Sequence, residues 1–272
     1  MVSKILSSRN YKEITAPYIQ LGQFGPTSKV FQKPRGLCID PSSQLVYIVD
    51  RLTGNVQICN LNGDYIGQFG EHGLTNADSI TIIGTFAFIT NFDPSRIYKF
   101  SLTDFSLISE TDNVVHPFGI TSSDDELFVS ETDCNRISVF NPSLSKKRQL
   151  DNVRLSWCWS IQIFENILFA LEVFENCIVK ITIDFGLLIG RIYINQDGLS
   201  FSHAYYFCMD NSSNFFITDY SNHIKILSPS GKPLSIIDTK EFDCFLPRGI
   251  AVDKNNSIVV VFRSGAYSML VF

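Results

Sequence analysis

One unit returns along this chain every 40 to 46 residues, and that repeat constrains the fold more than any other feature. The clearest copy, residues 34–70, reads PRGLCIDPSSQLVYIVDRLTGNVQICNLNGDYIGQFG. Runs at 37–40, 45–49, 56–59 and 65–69 are rich in β-branched and aromatic residues, and Pro-Ser-Ser, Thr-Gly-Asn and Asn-Gly-Asp separate them. Runs punctuated in this way predict a four-stranded meander. With Gly36 as marker, the equivalent positions are Ser79, Gly119, Ser160, Tyr206 and Gly249. The copies near 77 and 158 are degenerate but keep the strand rhythm, as in TFAFITN and ILFALEV. One four-stranded sheet cannot bury both its faces alone, whereas sheets stacked around an axis bury them against each other. The period therefore predicts an all-β, six-bladed β-propeller of four-stranded antiparallel blades.

The last copy reaches Phe272 after three strands. Residues 18–25, YIQLGQFG, match the fourth-strand segment YIGQFG at 65–70. The N-terminal strand is thus expected to complete the last blade and close the ring, leaving no open edge between the first and last blades. The propeller is placed at 18–272, with 1–17 as a loose lead-in.

Pro34, Gly36, Asp40, Asp50 and Asn55 form a pattern: PxGIxxD, a strand ending in an acid, then an Asn ahead of the next strand. Pro117, Gly119, Glu131 and Asn135 repeat it. In these residues the chain resembles the NHL-repeat six-bladed propellers of tripartite-motif (TRIM-NHL) proteins. Asn222-His223-Ile224 is close to the family's namesake tripeptide, and Phe262 departs from the pattern where blade six should carry an acid. The resemblance implies the fold more strongly than a function, because propellers serve as enzymes, sensors and binding surfaces. Such relatives often carry a RING finger. No RING cysteines precede residue 18, so ligase chemistry is not expected of this chain, and its propeller would supply target choice.

Bulk properties narrow the options. Against 22 basic residues stand 27 acidic ones, a net −5, which excludes a molecule that is basic all over and leaves room for a local basic patch. The seven cysteines form no CxxC pair and sit mostly in apolar runs, as reduced thiols of a cytoplasmic protein would. MVSKILSSRN lacks a secretory apolar core, and no run of about 18 uncharged apolar residues exists, so no membrane span is expected. No GxSxG, glycine-rich phosphate loop or HExxH is present, and no catalytic residue, cofactor or metal is assigned.

Propellers work through one end, where the loops entering the first strand and the loops joining strands two and three crowd together. The repeat places Arg35, Asp78, Phe118, Trp159, Tyr205 and Arg248 there, and opposite them Arg51, Phe92, Thr132, Val173, Tyr220 and Arg263. Arg35, Arg51, Arg248 and Arg263, with Lys33, come from blades one and six, which are neighbours in a closed ring. Phe118, Trp159, Tyr205 and Tyr220 come from blades three to five. A mouth basic on one side and aromatic on the other suits single-stranded RNA, whose bases stack on rings at ~1–3 kcal/mol each. It suits a protein segment with acidic and apolar residues equally well. A plainer expectation is that the arginines pair with the strand-ending acids Asp50, Glu131, Glu172 and Asp219.

Those acids, with Asn91 in blade two, recur in five blades, so they are expected to hold turns by accepting backbone N–H groups rather than to ring a cation. His116 and His203 share one register, but the other positions of that register are Lys33, Asn76, Trp157 and Leu246, too few ligands for zinc. Lys146-Lys147-Arg148 is expected to be a solvated loop. The reading is a non-catalytic binding platform, monomeric as an isolated domain, that takes a protein partner or single-stranded RNA at the mouth. The alternative is a metal-dependent propeller hydrolase or lyase with an axial site.

Overall fold

The computed structural model of the protein describes residues 16–17, 19–21, 31–70, 73–195, 199–266 and 268–272. They form six four-stranded antiparallel sheets arranged as blades. Blade one pairs Pro34–Ile39, Val46–Asp50, Asn55–Cys59 and Tyr65–Phe69 in sequence order. Blades two to five repeat this order, with first strands at Ala77–Ile83, Pro117–Ser123, Cys158–Phe164 and Tyr206–Met209. Blade six takes Cys244–Val252, Ile258–Gly265 and Met269–Val271 from the C-terminus and Ile19–Leu21 from the N-terminus. Ile19 pairs with Val271 and Leu21 with Met269, so the two ends of the chain close the ring as expected. Of the lead-in, residues 1–15 lie outside the described residues.

The expected first strand of blade one begins too late, at 37 rather than Pro34, because a bulge interrupts its register between Pro34 and Leu37. The same irregularity recurs in blades two, three, four and six, between Ala77 and Ser79, Pro117 and Ile120, Cys158 and Ser160, and Pro247 and Ile250. A bulge breaks the period-two pattern from which a strand's start is read. The marker positions themselves are in common register. Ser79, Ser160 and Tyr206 each stand opposite the residue just before the strand-ending position, namely Thr90, Leu171 and Thr218.

Six hydrophobic clusters hold the ring, one at each blade-to-blade contact. In the strand Val46–Asp50 every residue is buried, yet alternation still decides which neighbour each one meets. Val46 and Ile48 pack towards blade six with Val259 and Val271, while Tyr47 and Val49 pack towards blade two with Ala87 and Ile89. Side chains alternate across a strand, so each middle strand is apolar on both faces. The outermost strands face water on alternate residues, as in Tyr65–Phe69.

Four of the five strand-ending side chains accept backbone N–H groups as expected, whereas Glu131 makes no such cap among the described residues. Asp50 accepts backbone N–H groups from Gln32, Lys33 and Leu52, Asn91 from Asn76, Glu172 from Ser156, and Asp219 from Ser202 and Ser221. They reach back to the loop that enters their own blade as well as to the turn ahead. Their cationic partners are not the mouth arginines. Glu131 pairs with Arg136 and Lys146, Glu172 with Arg191, and Asp219 with Lys225. The expected pairing with mouth arginines fails because these carboxylates point outward along the blade, toward strands three and four.

The basic run at 146–148 is a strand, Lys146–Leu150, not a solvated loop. Lys147 and Arg148 both bond Glu126 on the neighbouring face of blade three. The hydrogen bond from Arg148 holds the Glu126 carboxyl at about 2, below its ordinary 4.5. A depressed carboxylate stabilises the fold above its unfolded value and loses that contribution as pH falls through the folded one. Melting curves of wild type and Glu126→Gln are expected to differ at neutral pH, with the wild type more stable. The gap should narrow between pH 4.5 and 2; a gap that persists below pH 2 contradicts the linkage. Among the described residues, no helix is long and apolar enough to cross a membrane. The seven cysteines form no disulfide among the described residues, and Cys134 alone among them is exposed.

Candidate ligand-binding mouth

The first strands meet at the axis, and small markers let them. A Cβ on Gly36 would stand 2.6 Å from the Asp78 carbonyl oxygen, and one on Gly119 2.9 Å from that of Trp159. Blade five breaks the run of small markers with Tyr206, whose ring is 9% exposed and whose hydroxyl donates to the Asp78 carbonyl oxygen at 3.3 Å. Tyr206 lines both an axial channel, walled by first-strand residues such as Ile39, Thr121 and Val252, and a separate cavity at the mouth. It therefore plugs the axis between them.

The mouth cavity has a volume of about 220 Å³ and is lined by Arg35, Arg51, Asp78, Phe118, Trp159, Tyr205, Tyr206 and Tyr220. Six of the eight expected ligand-binding residues line it. Arg248 lies directly behind, its guanidinium 3.9 Å from the centre of the Tyr205 ring and 4.8 Å from that of Tyr220. Arg263 is exposed and is not part of the lining. It follows Phe262, which is buried where the other blades carry an acid or, in blade two, Asn91, so no strand-ending carboxylate anchors the turn that carries it.

The rings form a continuous arc. Phe92, Phe118, Trp159, Tyr205 and Tyr220 follow one another around the rim with centroid spacings of 5.0, 5.4, 4.8 and 4.5 Å. Phe118, Trp159 and Tyr205 stack nearly parallel, within 16°. Each such contact is worth about 0.5–1.5 kcal/mol beyond area burial, which makes the arc a rigid wall. Stacking of Arg248 on two tyrosines fixes the guanidinium without neutralising it.

Charge in the mouth is unbalanced. Asp78, 1% exposed, stands 3.7 Å from Arg35 and from Arg51, and Arg51 is oriented by donating to Asn76. Burial raises the Asp78 carboxyl above its ordinary range, against the pull of Arg35, Arg51 and Lys33. Burial, then the nearby Arg35, lowers Arg248, and burial followed by Arg35, Arg263 and Arg51 lowers Lys33. These shifts are what crowded, poorly neutralised cations produce. Burial, then its hydrogen bond to Tyr220, raises the Tyr205 phenol. Tyr220 is lowered, first by the bond it accepts from Tyr205, with Arg248 adding to the effect.

Sequence reasoning placed Asp78 at the mouth but did not count it in the site, and used Tyr206 only as a repeat marker. A tyrosine at a position that elsewhere holds Gly or Ser was the available signal for the second. The histidines do not converge. His116 bonds Asp133 and stacks on Phe92 at 4.5 Å, whereas His203 stands 6.0 Å from Tyr220. Among the described residues no three His, Cys, Asp or Glu side chains cluster as metal ligands would.

No protein-family model matches the chain. No curated protein matches it either. Solved structures do. A streptogramin B lyase structure superposes with a TM-score of 0.67 at 14% identity, covering 92% of this chain and 97% of that one. Hydrazine synthase of Kuenenia stuttgartiensis gives 0.70 at 11%, with 92% and 97% covered. A nidogen/laminin complex gives 0.67 at 16%, with 80% and 84% covered. What these share with the chain is the fold. This protein is a six-bladed β-propeller. At such identities the likeness carries neither an activity nor a ligand, so function has to be argued from the mouth.

Proposed function

We propose that the chain is a non-catalytic binding platform, an NHL-type propeller that takes a segment of a protein partner at its mouth. In a TRIM-NHL-like ubiquitin-ligase system it would supply target recognition, as a monomeric cytoplasmic domain. The observation that carries this reading is the convergence at one end of the ring of Arg35, Arg51, Trp159, Tyr205 and Tyr220 around one cavity, with Arg248 behind them. Aromatic and arginine side chains set in rigid pockets are the groups that dominate protein–protein affinity. A protein segment suits the mouth better than single-stranded RNA. Bases need free ring faces to stack on. Here Phe118, Trp159 and Tyr205 cover one another's faces, and Arg248 lies over Tyr205 and Tyr220.

The test selects random displayed peptides on the immobilised protein and counter-selects on Tyr220→Ala. Peptides that bind wild type and lose about tenfold or more on the variant are the expected result. Single-stranded RNA is titrated at two salt concentrations alongside. Steeply salt-dependent RNA binding, abolished by Arg35→Ala with Arg248→Ala, together with no selected peptide, would replace protein by RNA as the ligand. Stoichiometric zinc or calcium in the purified protein would overturn the non-catalytic reading.

A further inference from the structure

The buried polar atoms of the mouth form an unequal inventory. Among the described residues, four donor nitrogens have no hydrogen-bond acceptor: Nε and Nη1 of Arg248, Nε of Arg35 and Nε1 of Trp159. Both oxygens of Asp78 likewise have no hydrogen-bond donor, since Arg35 Nε and Arg51 Nη1 face them only as ion pairs at 3.7 Å. Arg248 and Asp78 are each only 1% exposed, so bulk water does not compensate them. Six of the twelve buried polar atoms without a hydrogen-bond partner among the described residues belong to these four mouth side chains, and unsatisfied groups this deep are costly and concentrate where a ligand will supply the partner.

We propose that the mouth is a carboxylate-accepting pocket in which Arg35 and the Trp159 indole N–H, which line it, hold a ligand carboxylate with Arg248 behind them, while Asp78 accepts an N–H from the same ligand. This rests on reading the mouth as the binding end, and it names what enters. A carboxylate offers two oxygens and about four lone-pair sites, the number the orphaned donors require. The Arg35 guanidinium, in the cavity lining, offers a planar fork of N–H groups to such a group. A phosphate dianion fits less well, because buried Asp78 beside it adds a repulsion that a monoanion meets at half the charge. The cavity, at about 220 Å³, is smaller than the roughly 300–1,000 Å³ of sites for drug-sized ligands, so it takes a side chain or a chain end and not a large cofactor. An acidic side chain with a neighbouring backbone N–H, or a peptide C-terminus, carries both required groups.

The test uses small probes whose binding is read from Trp159 fluorescence in a Trp157→Phe background, which leaves one tryptophan. N-acetyl-L-phenylalanine is titrated against its C-terminal amide and against phenyl phosphate. The carboxylate should bind about tenfold or more tightly than the amide, and more tightly than phenyl phosphate. Arg35→Gln should lose about tenfold or more, and Arg248→Gln less. Asp78→Asn, which removes the one opposing charge, should tighten carboxylate binding several-fold, a gain that a misfolded variant cannot mimic. Equal affinity for acid and amide, no binding of either, tightest binding of the phosphate, or weakening in Asp78→Asn would each overturn the proposal. The two readings fail separately. Selected peptides that bind without any carboxylate leave the platform standing and remove the pocket, whereas carboxylate binding with no selected peptide supports the pocket and removes the protein partner.

Discussion

Replacing Asp219 by alanine is expected to cost about 3–5 kcal/mol of unfolding free energy, one of the two largest single-site effects predicted for this propeller. Asp219 is fully buried at the end of the second strand of blade five, paired with Lys225, itself 3% exposed. Lys225 also donates to the Ser200 carbonyl at 2.6 Å and lies over the Phe201 ring at 4.3 Å. Deleting the carboxylate strands an ammonium in the interior and releases the Ser202 and Ser221 amides that Asp219 accepts. For a chain of this size the loss is equivalent to a fall in Tm of roughly 5–10 °C. Adding Lys225→Met removes the stranded charge, so the double variant should recover part of the loss, but not the part due to the two freed amides. A melting temperature within 1–2 °C of wild type in Asp219→Ala, well short of that fall, would mean the acid does not organise its blade.

Gly249→Ala is expected to cost about 3 kcal/mol or more and to weaken ligand binding with it. The added methyl would stand 2.2 Å from the Arg35 carbonyl and 3.0 Å from the Leu37 amide, both backbone atoms of the adjoining blade. Backbone cannot rotate aside as a side chain can, so blades one and six must separate. Arg35 and Arg248 ride on those two strands, and their spacing would change together. Gly67 is the matched control, because it lies in an outer strand with nothing within 4 Å of its Cβ position. Gly67→Ala should leave stability unchanged or raise it by a few tenths of a kcal/mol through the unfolded chain. Chemical denaturation of both variants checks the pair, and equal midpoints would contradict the close approach.

Much of the ring was legible in the chain because its causes are local. Each strand announces itself by β-branched and aromatic residues, and each break by Gly, Asn, Asp or Ser. The match between residues 18–25 and 65–70 was enough to predict closure, which Ile19–Leu21 pairing with Met269–Val271 bears out. Register alone brought Arg35, Arg51, Phe118, Trp159, Tyr205 and Tyr220 to one cavity, but it also put Arg248 and Arg263 there, and neither lines it. The ion pairs were not legible. Arg136 reaches Glu131 from the adjacent strand and Lys146 from the one beyond it, and whether a long side chain turns toward the axis or the rim is not encoded in the repeat.

The period and alternation of the sequence by themselves determined six blades, their order and which loops gather at one end, since a sheet's need to cover two apolar faces admits few other arrangements. Only the tertiary structure decided how those loops meet across the axis. Tyr206 touches Asp78 from 128 residues away, Asp78 is shared between two arginines, and Arg248 lies on tyrosines of blade five with no salt-bridge partner among the described residues. Contacts between opposite blades depend on the diameter of the closed ring and on the bulk at its centre, and no single repeat contains either.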